Sequence, residues 1–249
     1  VLGHVNGGYP NRSEMLSKLQ HNNGWGIRCN GNTSVNADCA TNLSPEYAIM
    51  GNSYAMTWVN SFNSIKNASV VQLTQDSCAI GFIDVIKKDV NSLPCKQFYD
   101  MAIQTVLESK SIHTVILSSP FDIELSSDEF IASLSSLLDR LSSKKILIIG
   151  PTPSAPFSVG ECLIRKSLIS SELNCDFKVK EAHYKKITKL NNLLKSFDKI
   201  NFYNINEIIC PNGQCIMSPQ EGLMMYTDRG HLSFGGADYV LKKMKLNLQ

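Results

Sequence analysis

The chain has 249 residues, of which 43% are hydrophobic, and its 24 basic and 22 acidic residues leave a net charge of +2. This length fits one α/β domain or two small ones, and the apolar content is sufficient for a packed core. The balanced charge gives no reason to expect nucleic acid or an anionic membrane as a partner, and no apolar run approaches the roughly 18 residues that a membrane-spanning helix needs.

The first predicted unit is an irregular extension over residues 1–45. This segment is polar, and turns such as Asn22-Asn23-Gly24 and Asn30-Gly31-Asn32 interrupt any regular element. The sequence opens at Val1 without a start Met or a signal peptide, so we expect it to be a processed or excised piece of a longer protein. We predict that the extension packs on a domain that spans residues 46–249.

From Tyr47 onward, short apolar runs alternate with helical patterns. The runs predict strands at 47–50, 70–73, 114–117, 146–150 and 200–203. The helical spacing predicts helices near 56–62, 98–107, 130–141, 180–197 and 234–246, with a cysteine-bearing loop at 160–178 that can contain a short helix. Short apolar strands that alternate with longer helices are typical of a parallel sheet covered on both faces. The predicted fold is therefore a three-layer α/β/α sandwich with about five parallel strands.

The cysteines indicate an oxidising compartment. There are eight, and they fall in four neighbouring pairs along the chain: Cys29 and Cys39, Cys78 and Cys95, Cys162 and Cys175, Cys210 and Cys215. This pattern favours disulfides over a zinc site, which usually has more closely spaced ligands, and over reduced core cysteines. Sequential pairing is the simplest connectivity, and we expect neither a metal nor a cofactor.

A candidate nucleophile follows the first predicted strand. Ser53 ends the Gly51-Asn52-Ser53 turn and precedes a helix. In open α/β sheets, sites form at the carboxyl ends of strands, and the free N–H groups at the start of the next helix can stabilise an oxyanion. The alternative is that Ser53 only caps the helix, as serine often does.

A candidate acid and base stand before the last predicted helix. Asp228 precedes His231 by three residues, and a histidine base needs a carboxylate to fix its tautomer and stabilise its positive charge. Both residues and Ser53 are expected at one end of the sheet. Together they predict a Ser-His-Asp arrangement in the chain order Ser, Asp, His.

Several stretches give the sequence a resemblance to a known family: Ile49–Ala55, Gln72–Cys78 with Cys95, Gly150–Pro153 followed by Cys162–Arg165, Asp228–Ser233, and the opening Asn6–Arg12. They resemble the motifs of SGNH (GDSL-type) hydrolase domains. More closely, the chain is similar to the periplasmic domain that follows the membrane part of acyltransferase-3-type bacterial O-acetyltransferases. The likeness covers nearly the whole chain, and its most specific parts are the Asp-x-x-His-Leu-Ser block and the cysteine pattern.

The resemblance implies a function and a location. The domain would transfer an acetyl group through an acetyl-serine onto a sugar hydroxyl of a surface polysaccharide, such as lipopolysaccharide O-antigen. The donor would be delivered by a membrane acyltransferase domain of the same chain, and the domain would lie in the periplasm as part of an inner-membrane protein. The alternatives are a secreted carbohydrate O-acetylesterase and a carbohydrate-binding module that keeps the fold without the chemistry.

The sequence also departs from the family pattern around the nucleophile. Asn52 and Tyr54 stand where the family has Asp and His, and Ser118-Ser119-Pro120 replaces its Gly-x-Asn-Asp block. We expect the Ser53 N–H to be the best oxyanion donor. Gln75, in the loop from Thr74 to Ser77, and Ser119 are further candidates.

Overall fold

The computed structural model describes residues 19–80, 92–121 and 128–246, so the predicted linking stretch Asn6–Arg12 lies outside the described residues. Within those ranges the strands are β1 (Tyr47–Gly51), β2 (Val70–Thr74), β3 (Thr114–Ser118), β4 (Lys145–Ile149), β5 (Phe177–Lys178), β6 (Ile200–Tyr203) and β7 (Gln214–Cys215). Five of them form one parallel sheet in the order β2-β1-β3-β4-β6. The short strands β5 and β7 pair antiparallel beside it.

Helices connect the strands. Over the same ranges they are α1 (Ser53–Met56), α2 (Val59–Lys66), α3 (Ser92–Glu108), α4 (Asp128–Arg140), α5 (Val159–Leu168), α6 (Glu181–Leu194), α7 (Asn206–Ile209) and α8 (Phe234–Lys243), with short 3₁₀ helices at Ile27–Cys29 and Pro211–Gly213. None of the helices in the described part of the chain has the length and apolar character that would let it cross a bilayer.

The sheet separates two hydrophobic clusters. Because successive side chains of a strand point to opposite faces, Tyr47 and Ile49 of β1 pack in one cluster and Ala48 and Met50 in the other. The first cluster includes residues of α2, α5 and α8, and the second includes residues of α3 and α4. Helical layers therefore cover both faces, which confirms the predicted three-layer α/β/α sandwich.

The differences from the predicted elements are local. The helical pattern near 56–62 is divided into α1 and α2, because the chain turns at Thr57 and Trp58 and the Thr57 hydroxyl donates to the Tyr54 carbonyl at 2.8 Å. The cysteine-bearing loop begins with the ten-residue helix α5. Strands β5 and β7 have only two residues each, which is too short for a sequence pattern to indicate them.

The described part of the extension runs along β2, an edge strand of the sheet. The N–H of Thr41 donates to the Val70 carbonyl at 2.9 Å, and the N–H of Gln72 donates to the Cys39 carbonyl at 2.8 Å. Further along, the N–H of Gly31 donates to the Thr74 carbonyl at 2.8 Å. The extension thus occupies backbone groups that an uncovered edge strand would expose to other chains.

All eight cysteines lie in the described ranges and form disulfides: Cys29–Cys39, Cys78–Cys95, Cys162–Cys175 and Cys210–Cys215. The pairing is the sequential one. The first disulfide closes a loop within the extension, and the second ties the segment after β2 to α3.

Candidate active site

The turn after β1 presents Ser53 at the carboxyl end of the sheet. Gly51 has φ +145°, and a Cβ at this position would lie 2.2 Å from the Ser118 carbonyl oxygen, so only glycine fits there. The Asn52 side chain then caps α1 by accepting from the Tyr54 N–H at 3.1 Å. The cap is therefore Asn52, and Ser53 is left partly exposed at the first position of the helix.

Ser53 is hydrogen-bonded to the predicted base. Its Oγ lies 2.9 Å from Nε2 of His231, although the two residues are 178 positions apart in the chain. At this distance a neutral imidazole with its proton on Nδ1 accepts the serine proton, which is the arrangement that activates a serine oxygen.

Asp228 holds the other side of the imidazole. Its Oδ2 lies 2.6 Å from Nδ1 of His231, and its Oδ1 accepts from the backbone N–H groups of Gly230 and His231, each at 2.8 Å. Burial raises the pKa of the Asp228 carboxyl, but the hydrogen bond to His231 and the two backbone hydrogen bonds outweigh burial, and the pKa is held well below its ordinary value. Asp228 is therefore a carboxylate at neutral pH.

The loop that carries these residues is fixed by contacts with the segment after β4. The hydroxyl of Thr152 donates to the Gly230 carbonyl at 2.7 Å, and the N–H of Ala155 donates to the Arg229 carbonyl at 2.7 Å. On the other side, the Ser233 hydroxyl caps α8 by accepting from the Gly236 N–H at 2.9 Å. These contacts fix the loop on both sides of His231 and thereby position its imidazole.

Tyr54 contacts the imidazole directly. Its ring centroid lies 4.3 Å from that of His231, with an angle of 35° between the planes. The Tyr54 hydroxyl lies only 3.0 Å from the point where a Cβ on Gly230 would be, so glycine at 230 leaves room for the tyrosine. The sequence indicated Tyr54 as unusual, but only the fold shows that it packs on the histidine.

The predicted oxyanion donors lie in different environments. Within the described residues the Ser53 N–H has no acceptor, whereas the N–H of Gln75 donates to the Gly51 carbonyl at 3.0 Å. The Ser119 side chain is fully buried, and no described residue hydrogen-bonds to its hydroxyl. For Gln75 and Ser119 the oxyanion role stays a prediction.

A cleft of about 330 Å³ opens beside Ser53 and His231. Its described lining also includes Met56 and Asp76, together with five residues of the extension: His21, Asn22, Asn23, Ile27 and Asn30. The sequence did not indicate that the extension would form a wall of the site, because the segment has no periodicity and its contacts are with distant residues.

No group of three or more metal-ligating side chains occurs in the parts of the chain that the structure describes. The site brings together a hydroxyl, an imidazole within hydrogen-bond distance of it, and a carboxylate behind the imidazole, which are the groups that acyl transfer by a serine uses.

A family described as the SGNH domain fused to AT3 domains matches residues 28–245 of the chain. A comparison with curated protein sequences gave no match. Among solved structures, the chain is similar to the periplasmic domain of the lipopolysaccharide acetyltransferase of Salmonella ser. Paratyphi A. The TM-score is 0.69 and the sequence identity is 16%, over 94% of this chain and 97% of that one. The resemblance that the sequence motifs indicated is thereby confirmed.

Proposed function

We propose that this chain, which belongs to the family of SGNH domains fused to AT3 domains, transfers an acetyl group through an acetyl-serine to a sugar hydroxyl of a bacterial surface polysaccharide, such as lipopolysaccharide O-antigen. The observation that supports this most directly is the hydrogen-bonded row of Ser53, His231 and Asp228 beside the cleft. In this role Ser53 is the nucleophile, His231 the general base and acid, and Asp228 the group that orients the imidazole.

The first half-reaction forms the acetyl-enzyme. Ser53 Oγ attacks the acetyl carbonyl carbon while its proton passes to Nε2 of His231, and the Ser53 N–H donates to the developing oxyanion. The bond to the donor group then breaks, and His231 returns the proton to that leaving group. Asp228 stays ionised throughout and stabilises the imidazolium.

The second half-reaction transfers the acetyl group. His231 removes the proton of a sugar hydroxyl as its oxygen attacks the acetyl-serine, and the proton then returns to Ser53 Oγ as the ester breaks. Water in place of the sugar gives an esterase with the same residues. The outcome therefore depends on which hydroxyl the cleft holds beside the acetyl group.

The comparisons support a proposed donor and a proposed location. Since the members of the family are fused to AT3 domains, the acetyl group is delivered by a membrane acyltransferase domain of the same protein. By analogy with the Salmonella domain, which is periplasmic, this domain works in the periplasm, where disulfides persist.

The test is the Ser53→Ala substitution in cells that carry the full gene, with Ser64→Ala, an exposed serine of α2, as the matched control. A transferase predicts that Ser53→Ala abolishes acetylation of the polysaccharide, whereas the control leaves it unchanged. An esterase predicts instead that the acetyl content rises in Ser53→Ala cells.

Labelling with a fluorophosphonate probe distinguishes a transferase or an esterase from a binding module. We expect the wild-type chain to be labelled at Ser53, and Ser53→Ala to lose the label while its melting temperature stays the same. A wild-type chain that takes no label, with unchanged acetylation in the Ser53→Ala cells, would overturn the proposal.

A further inference from the structure

One wall of the cleft is formed by the extension and by the loop after β2. It carries hydrogen-bonding groups that have no partner among the residues that the structure describes. Among the described residues, the side chains of His21 and Asn23 have no hydrogen-bond partner. Asp76 uses Oδ1 to accept from the Ser77 N–H at 2.8 Å, while its second carboxylate oxygen has no described partner.

The same wall has an apolar part. Ile27 lines the cleft and is 82% exposed, which is unusual for so large an apolar side chain. A sugar ring has hydroxyls around its rim and C–H groups on its faces, so it needs both kinds of surface. The cleft volume, about 330 Å³, is at the low end of the range for small-molecule sites, which fits a short part of a glycan.

We infer, on the basis of the proposed function, that His21, Asn23, Ile27 and Asp76 form the acceptor site and that the sugar bound there is uncharged. The charge of the acceptor follows from the lining. Asp76 is an exposed carboxylate, and the described lining includes no Lys or Arg, so a uronate or phosphate group would be repelled. A carboxylate oxygen accepts strong hydrogen bonds from sugar hydroxyls at the same position.

The wall is held in place before any sugar binds. The Asn22 side chain, 3% exposed, donates to the Thr57 carbonyl at 2.8 Å, and the fully buried Gln72 side chain accepts from the Trp25 N–H at 3.0 Å. The Asn30 side chain accepts from the Asp76 N–H at 2.8 Å, which joins the two parts of the wall. Such preorganisation lowers the entropy cost of binding.

An acidic glycan would fit a different place. A second groove of about 430 Å³ is lined by Lys180, Lys186 and Arg229, and its described lining includes neither Ser53 nor His231. An anionic acceptor would be attracted there, away from the nucleophile. Preference for acidic sugars is thus the outcome that contradicts the inference.

The experiment measures binding without the chemistry. The 249-residue chain carrying Ser53→Ala is titrated with neutral trisaccharides and with matched trisaccharides that contain one glucuronate, and the backbone amide shifts are followed by NMR. We expect neutral sugars to shift the amides of residues 21–30 and 76, and the acidic ones to bind at least tenfold more weakly. Because the variant cannot form an acetyl-enzyme, this result is independent of whether acetyl transfer is the reaction.

Two substitutions in the same background locate the site. Asp76→Asn keeps an oxygen that can accept from the Ser77 N–H, so the loop should stay in place. The double variant Asp76→Asn with Asn23→Ala should bind the neutral sugars at least tenfold more weakly, with an unchanged melting temperature. Asp38→Asn is the matched control, since it removes an exposed extension carboxylate, paired with Arg28 at 3.6 Å, that does not line the cleft. Unchanged affinity in the double variant, or tighter binding of the acidic sugars, would overturn the inference.

Discussion

The carboxylate of Asp228 can be altered at one atom without moving the loop around it. In Asp228→Asn, the amide oxygen keeps the hydrogen bonds from the N–H groups of Gly230 and His231 that Oδ1 now accepts at 2.8 Å. The amide nitrogen replaces Oδ2, which lies 2.6 Å from Nδ1 of His231. Because an amide nitrogen donates, Nδ1 must become an acceptor, and the imidazole proton moves to Nε2. That nitrogen then donates to Ser53 Oγ and can no longer take its proton.

The expected magnitude follows from this change of tautomer. The corresponding substitution in a serine triad lowers turnover about 10⁴-fold, so we expect a loss of about 10³–10⁴, equivalent to about 4–5.5 kcal/mol of barrier. The assay is hydrolysis of p-nitrophenyl acetate by the purified chain, with melting temperature measured in parallel. Asp238→Asn is the control, because that carboxylate accepts from the Ser61 hydroxyl at 2.6 Å and does not line the cleft. A loss below tenfold in Asp228→Asn would refute the assigned role.

The acid stability of the same variant gives a second readout. The folded state lowers the pKa of the Asp228 carboxyl, so this group stabilises the fold when the pH is above the carboxyl's unfolded-state pKa of about 4. The stabilisation is lost as the pH falls below that pKa. Asp228→Asn has no such contribution. Its melting temperature should therefore fall less steeply than that of the wild type between about pH 5 and pH 2.

Three further tests, two of them with a control variant, concern the parts that hold the site. Gly51→Ala should cost about 2–6 kcal/mol, because it combines a strained φ with a Cβ placed 2.2 Å from a carbonyl oxygen of β3. Gly26→Ala, at φ +100° with no atom within 4 Å, should cost only the strain, and equal losses of stability in chemical denaturation would contradict the steric argument. Replacing both Cys29 and Cys39 by Ser removes a disulfide of sequence separation 10, for which the loop entropy predicts a loss of about 2.5–3 kcal/mol of unfolding free energy. Tyr54→Leu removes a ring contact on the imidazole worth about 0.5–1.5 kcal/mol, so esterase turnover should fall about two- to tenfold. Tyr54→Phe keeps the ring contact and should keep the wild-type turnover.

The sheet and the serine turn could be predicted because their signals are local. Each strand of the parallel sheet is an apolar run between breaks, and Ser53 follows the first of them directly. The Asp-x-x-His spacing is local as well, since both backbone hydrogen bonds to Asp228 come from residues within three positions. What the sequence could not provide is the 2.9 Å distance from Ser53 to His231, which depends on the packing of the whole sheet between them.

The cleft wall could not be predicted for a physical reason. Its contacts join residues far apart in the sequence, such as Asn30 with Asp76 and Trp25 with Gln72, and they are made by amides and backbone groups. Polar contacts of this kind leave no hydrophobic period. A segment rich in Asn and Gly therefore looks the same in sequence whether it is a linker or one side of a binding site.

Two parts of the chain line the cleft, one with the proposed catalytic residues and the other with the proposed acceptor site. The Ser53 turn follows β1 and the His231 loop leads into α8, so the positions of these side chains depend on the packing of the core, and substitutions in the core should alter the fold and the activity together. The wall formed by the extension and the loop after β2 has, in its described residues, no helix or strand beyond one 3₁₀ turn, and it is fixed by a disulfide, by buried amides and by pairing with the edge strand β2. Substitutions at its exposed side chains leave the sheet intact. Under the proposed acetyl transfer, water and sugar compete for the same acetyl-serine, and we infer that this wall, and not the three proposed catalytic residues, decides which of them takes the acetyl group.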